Sequence, residues 1–224
     1  MIEERTTTCS EHNHPEFALS FDEESVLEED VAWLLSSLQD LVANGQTFSP
    51  GDTFQIGWLP TLIQQREDGL LTIHEPDMKS IPAQYQPSIT FALLHIRWQK
   101  EVAESFELDP ELNYPSARQS VLICDQLGQE PGFAMQRRAA KDSHSGWIIC
   151  CSNEDHDHQA APLKPISLYE LIISVNPKAI PFIALPETSQ VIIEDQSICL
   201  SIDGLSQPLL KDSFLKTIGY IDSL

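Results

Sequence analysis

Gly132-Phe-Ala-Met-Gln-Arg-Arg138, followed by Ser145-Gly-Trp-Ile-Ile-Cys-Cys151, is the stretch on which the fold turns. Gly132 to Gln136 and Trp147 to Cys151 are apolar runs too short for helices, and glycines and polar residues punctuate them. That is the pattern of neighbouring strands in a sheet core. An acidic loop comes next, Asn153-Glu-Asp-His-Asp-His158, and then Ser167-Leu-Tyr-Glu170 ahead of Leu171, Ile172 and Ile173. A hydroxyl three residues before a Glu and just before an apolar run is a capping-box signature, so a short helix is predicted to start at Ser167 and to stop before Pro177. Asn176-Pro-Lys-Ala-Ile-Pro-Phe-Ile-Ala-Leu-Pro186 closes the unit.

Working outward, Ser120-Val-Leu-Ile-Cys124 reads as a strand leading into this unit. Gln190 to Glu194 and Ile198 to Ile202 read as a second hairpin, or as one longer extended segment broken at Asp195-Gln196, and Lys211 to Ile221 as a short helix or a frayed end. Upstream, Ile89, Leu93, Ile96 and Ala103 place a second helix between Ser88 and Phe106. Asp68-Gly69 turns Leu62 to Arg66 into Leu70 to His74 as a hairpin, and Pro60 marks an edge or a bulge in the strand that begins near Thr53. Ser25-Val-Leu-Glu28 resembles another capping box, followed by Leu27, Val31, Leu34, Leu35, Leu38, Leu41 and Val42 at helical spacing up to Asn44-Gly45. Residues 1 to 24 read as a mobile, acidic, polar arm. The expected architecture is α+β: this arm, a helix, hairpin and helix region over 25–116, and a mixed or antiparallel sheet domain with a short helix over 117–224.

The composition excludes several classes. With 34 acidic against 13 basic residues the formal net charge is −21, which repels nucleic acid and anionic membranes and favours a basic partner. Five cysteines form no even framework, and no apolar run approaches a membrane span, so the chain reads as a reduced, cytoplasmic, soluble protein. No nucleophile elbow, Cys-x-x-Cys or His-Glu-x-x-His is present, and nine glycines do not build a phosphate cradle. No catalytic residue, cofactor or metal is expected. The one cluster with chemical appeal is Cys150-Cys151 with His156 and His158, in which a reduced Cys151 could join two alternating histidines around a metal; no standard zinc spacing is met, and two cysteines on opposite faces of a strand beside a solvated loop is the plainer reading. Of the four tryptophans, Trp98, between Arg97 and Gln99, is the candidate for exposure, and the others read as core.

In the order of its motifs, the chain resembles the immunity-protein domain family numbered thirty-three among bacterial polymorphic toxin systems. The shared features are Gly-Phe with a following Arg, Ser-Gly-Trp, an acidic loop, a Ser-Leu-Tyr-Glu helix and an Asn-Pro to Leu-Pro segment. The family usually has Asp immediately before Ser-Gly-Trp, where this chain has His144. The resemblance implies an immunity protein encoded beside a type VI secretion effector, which binds and neutralises that toxin. A toxin that is a nuclease would present the basic cleft that the acidic balance suits. Glu154, Asp155 and Asp157 on a loop held by a buried strand, with Trp98 on the second helix, are the expected contacts. An acidic adaptor or nucleic-acid mimic aimed at another basic protein, and a metal-dependent enzyme, are the competing readings.

Overall fold

A computed structural model describes residues 1–108, 112–129, 132–153, 155–158, 162–194 and 197–217. The chain divides into two compact units, Met1–Arg97 and Trp98–Leu224. Both are mixed α+β. Among the described residues no helix is long and apolar enough to cross a membrane.

The first unit contains β1 (Ile2–Arg5), β2 (Phe17–Phe21), α1 (Glu28–Ala43), β3 (Thr53–Ile56), β4 (Leu59–Gln65), β5 (Leu71–Pro76), β6 (Tyr85–Gln86) and the start of α2 (Thr90–Ser105), which runs on into the second unit. The sheet order is β1-β2-β5-β4-β3, with β6 on β5. The Asp68-Gly69 hairpin joins β4 to β5 as its turn chemistry predicts.

Residues 1 to 24 contribute two strands, β1 and β2, to the first sheet. Phe17, Leu19 and Phe21 are buried, and β2 pairs in parallel with β5 through Phe17↔Leu71 and Ala18↔Thr72. Its partner lies some fifty residues away, so no local turn signal announces it. The Ser25 capping box does not form. Leu27 is the N-cap and makes no side-chain cap bond, while the Ser25 hydroxyl donates to Asp22 at 2.7 Å. Pro60 lies in an interior strand rather than at an edge; it sits opposite Gln55 of β3, before β4 begins to pair with β5 at Leu62. That leaves no ladder bond on the β5 side for its missing N–H to break.

Polar groups tie this unit together. Asp30 accepts both Nε and Nη2 of Arg97, at 2.9 and 2.7 Å, and Glu29 adds a further contact, joining α1 to α2. Glu75, buried, accepts the Ala92 amide at 2.8 Å in the first turn of α2, and burial pushes its carboxyl upward. His95 is buried, with Nδ1 accepting the Trp58 indole N–H at 3.1 Å, and burial drives its pKa down to about 3. The folded state therefore holds a neutral imidazole while the unfolded chain protonates near pH 6.5. Stability that is present above that value is lost as pH falls toward 3, and the loss amounts to about 2 kcal/mol by about pH 5. Urea unfolding at about pH 7 and pH 5 should show this slope in the native chain and lose that share of it in His95→Gln. The Glu75 contribution is common to both chains and cancels in the difference.

The second unit is built on a seven-stranded sheet in the order β10-β7-β9-β8-β11-β12-β13. Its strands are β7 (Ser120–Ile123), β8 (Phe133–Arg137), β9 (His144–Cys151), β10 (Lys164–Ser167), β11 (Gln190–Glu194), β12 (Ser197–Ile202) and β13 (Leu205–Gln207). β7 and β9 are parallel and the other pairs antiparallel. α3 (Leu168–Glu170) is capped by the Ser167 hydroxyl, which accepts the Glu170 amide at 3.0 Å, as the capping box predicts. It continues as a π-helix over Leu171–Val175 and ends before Pro177, where a 3-10 helix, Pro177–Phe182, takes over. A short helix α4 (Phe214–Thr217) follows the sheet. The second hairpin is β11 and β12, joined in register from Gln190↔Ser201 to Glu194↔Ser197; Asp195 and Gln196 lie outside the described residues.

Candidate functional site

The motifs of the second unit make a framework before they make a surface. Arg137 ends β8 with its side chain 1% exposed, and three backbone carbonyls surround the guanidinium. Nη1 donates to Asn113 O at 2.7 Å, to Ile183 O at 3.4 Å and to Leu185 O, and Nη2 donates to Asn113 Oδ1 at 3.4 Å. The guanidinium carbon lies 5.5 Å from the centre of the Trp147 ring, and the Trp147 indole N–H donates to Ile183 O at 2.8 Å. Burial lowers the Arg137 pKa to about 10, opposed by the negative charge of Glu187, so the group remains a cation at neutral pH. The Asn-Pro to Leu-Pro segment is thus stapled to the sheet by one arginine and one tryptophan.

The two residues before Trp147 set its position. Ser145, fully buried, donates to Ser120 O at 2.9 Å and accepts the Trp147 amide at 3.3 Å. Gly146 has φ +84°, and a Cβ there would lie 2.1 Å from Arg138 O. His144 Nδ1 accepts the Gly146 amide at 2.9 Å, the bond that a side-chain carboxylate makes in an Asx turn.

The acidic loop leaves the end of β9. Asp155 and Asp157 are exposed, while Glu154 lies outside the described residues. The Asp155 amide donates to Asn153 Oδ1 at 2.9 Å, and Asn153 Nδ2 to Gln126 Oε1 at 3.3 Å, which fixes the base of the loop. Trp98 is half-buried, and the exposed tryptophan is instead Trp33 on α1, at 46%. The helical period around Trp33 hides this: the buried face is Val31, Leu34, Leu38 and Val42, and Trp33 falls off that stripe.

Behind the loop lies a cluster that sequence spacing only half revealed. Cys151 Sγ is 3.2 Å from His156 Nδ1 and 3.4 Å from His158 Nε2, and the Cys151 amide donates to Cys124 Sγ at 3.1 Å. One ligand atom from each of Cys124, Cys151, His156 and His158 lies within 4.8 Å of all the others. The other His156 nitrogen, Nε2, meets Asp125 Oδ1 at 3.2 Å. Cys124 and Asp125 were not singled out from the sequence. They enter because the parallel pairing of β7 with β9 brings Cys124 alongside the end of β9, where the Cys124 amide donates to Ile149 O at 3.1 Å. Cys150, on the other face of β9, is half-buried, and burial with the nearby Cys124 raises its thiol to about 11.

A mixed-sheet α+β domain, built on a buried Arg and Trp staple and presenting an acidic loop, is the class that this geometry defines. Residues 98–200 match the family model of the Imm33-like domain, so this part of the chain is similar to immunity-protein domains of that type. The match begins at the first residue of the second unit. No curated protein and no solved structure matches the chain significantly.

Proposed function

We propose that this chain neutralises a cognate antibacterial effector by binding it one to one, and that the effector is a nuclease delivered by a type VI secretion system. The Imm33-like domain supports a toxin partner. The observation that carries the reading toward a basic toxin is the formal net charge of −21, which suits a cleft that grips phosphate and disfavours nucleic acid itself as the ligand. Inhibition by occupancy requires no chemistry of the inhibitor, only a rigid acidic surface. Asp155 and Asp157 stand on a loop whose base is tied to Gln126 and whose strand is internal to the sheet, so little order is lost on docking. An open groove of about 490 Å³ in the same unit, lined by Glu101, Glu104 and Asp212 beside Leu210 and Phe214, offers a second acidic surface.

Reversing both loop charges, Asp155→Lys with Asp157→Lys, should slow association with the effector encoded in the neighbouring reading frame by about tenfold or more at low salt and leave dissociation little changed. The salt dependence of the on-rate should flatten in the same variant. Stopped-flow binding at two ionic strengths reads both. An unchanged on-rate would move the contact surface to the groove or to the exposed Trp33 face of α1.

A further inference from the structure

We propose that Cys124, Cys151, His156 and His158 form a tetrahedral zinc site. Two thiolates and two imidazoles are the donor set of a structural zinc centre, with Zn–S near 2.3 Å and Zn–N near 2.0 Å; a regular tetrahedron of those bonds sets its donor atoms about 3.3 to 3.8 Å apart. The two sulfur to nitrogen separations at Cys151 are 3.2 and 3.4 Å, and all four donor atoms lie within 4.8 Å of one another, so a small contraction closes the shell. No standard zinc spacing encloses these residues, because the fourth donor comes from a parallel neighbour strand rather than from a local knuckle.

The surroundings fit a metal better than a bare thiol cluster. Asp125 holds the far nitrogen of His156 at 3.2 Å, which fixes the tautomer and turns Nδ1 toward the cluster, the carboxylate–histidine arrangement that supports a bound metal. The Cys151 amide donates to Cys124 Sγ at 3.1 Å, an N–H donor suited to a thiolate. Cys124 and Cys151 are 2% and 3% exposed and neither is bonded to another sulfur. A nucleophilic Cys–His pair would leave its sulfur open to a substrate; here it is buried among three other donors. On binding, each thiol releases one proton to solvent, and two thiolates neutralise the dication, giving an uncharged centre. The set of two sulfurs and two nitrogens in a tetrahedron selects zinc over hard cations that prefer oxygen. Such a centre would join the end of β7, the end of β9 and the loop bearing Asp155 and Asp157.

The test uses the full chain, carrying no histidine tag and purified without added metal or chelator. Metal analysis by mass spectrometry should find about one zinc per chain, falling below about 0.1 in Cys124→Ser and in His156→Ala, and unchanged in Cys199→Ser at an exposed cysteine outside the set. Cobalt in place of zinc should give the d–d and thiolate charge-transfer bands of a tetrahedral site with two sulfur donors. Asp125→Asn, which keeps all four ligands, should weaken zinc binding by about ten- to a hundredfold in a competition titration, a readout that a merely misfolded chain would not give. Wild-type chain that holds no zinc and takes up none when zinc is supplied, a disulfide between Cys124 and Cys151 in the reduced preparation, or zinc retained in both ligand variants would each overturn the assignment.

Discussion

Arg137→Ala is expected to cost about 3 to 5 kcal/mol of stability in the C-terminal unit. The guanidinium serves Asn113, Ile183 and Leu185 through their carbonyls and covers the face of Trp147, all within the interior. Truncation leaves buried acceptors without donors and a void beside the indole, and each unpaired group carries its own desolvation cost of about 1 to 3 kcal/mol. Arg137→Lys should fall between the native chain and the alanine variant, because a point charge on a flexible stem cannot reproduce the planar fork. Arg137 Nε is itself buried without a hydrogen-bond partner, so the native arrangement is not ideal, and the energy lies in the two terminal nitrogens. Urea denaturation followed by near-ultraviolet circular dichroism measures the loss. A change under about 0.5 kcal/mol would mean that water takes over the carbonyls.

The second large effect belongs to Gly146→Ala, with an expected loss of about 3 kcal/mol or more. Two separate causes add. The φ of +84° strains any residue with a Cβ, and that Cβ would press to 2.1 Å from a backbone carbonyl, Arg138 O, which cannot swing away as a side chain could. Gly204→Ala is the control: its φ is +77°, but a Cβ there meets nothing within 4 Å. That variant should lose only about 1 kcal/mol, and the difference between the two isolates the steric part. Equal losses at the two sites would assign the whole cost to conformation.

How much of this was legible in the sequence depended on how local each signal was. The strands at Phe133 and Trp147, the Asp68-Gly69 hairpin and the Ser167 cap all follow from residues within a few positions of one another. β10 escaped because Lys164-Pro-Ile-Ser has no period to read; Pro165 is tolerated there because the strand is an edge. The N-terminal strands escaped because β2 finds its partner in β5 in parallel, across α1 and a hairpin. The Cys/His cluster failed for the same reason. His156 and His158 are visible as an alternating pair after Cys151, whereas Cys124 becomes a neighbour only once β7 and β9 lie side by side. Ser25-Val-Leu-Glu28 shows the opposite error, a local motif whose hydroxyl donates instead to Asp22, three residues on the other side. Of the expected contact residues, Asp155 and Asp157 are at the surface and Trp98 is half-buried, while the exposed tryptophan is Trp33.

Neutralisation of a toxin by occupancy makes one quantitative demand, which a titration of the purified effector with the purified chain examines directly. Effector activity on its substrate should fall linearly and vanish at about one equivalent of chain, with a one-to-one complex isolated at the end point. Substrate added in excess should not release the inhibition at once, since dissociation rather than competition governs recovery. Full effector activity in the presence of several equivalents of folded, zinc-assayed chain, with no complex formed, would contradict the account.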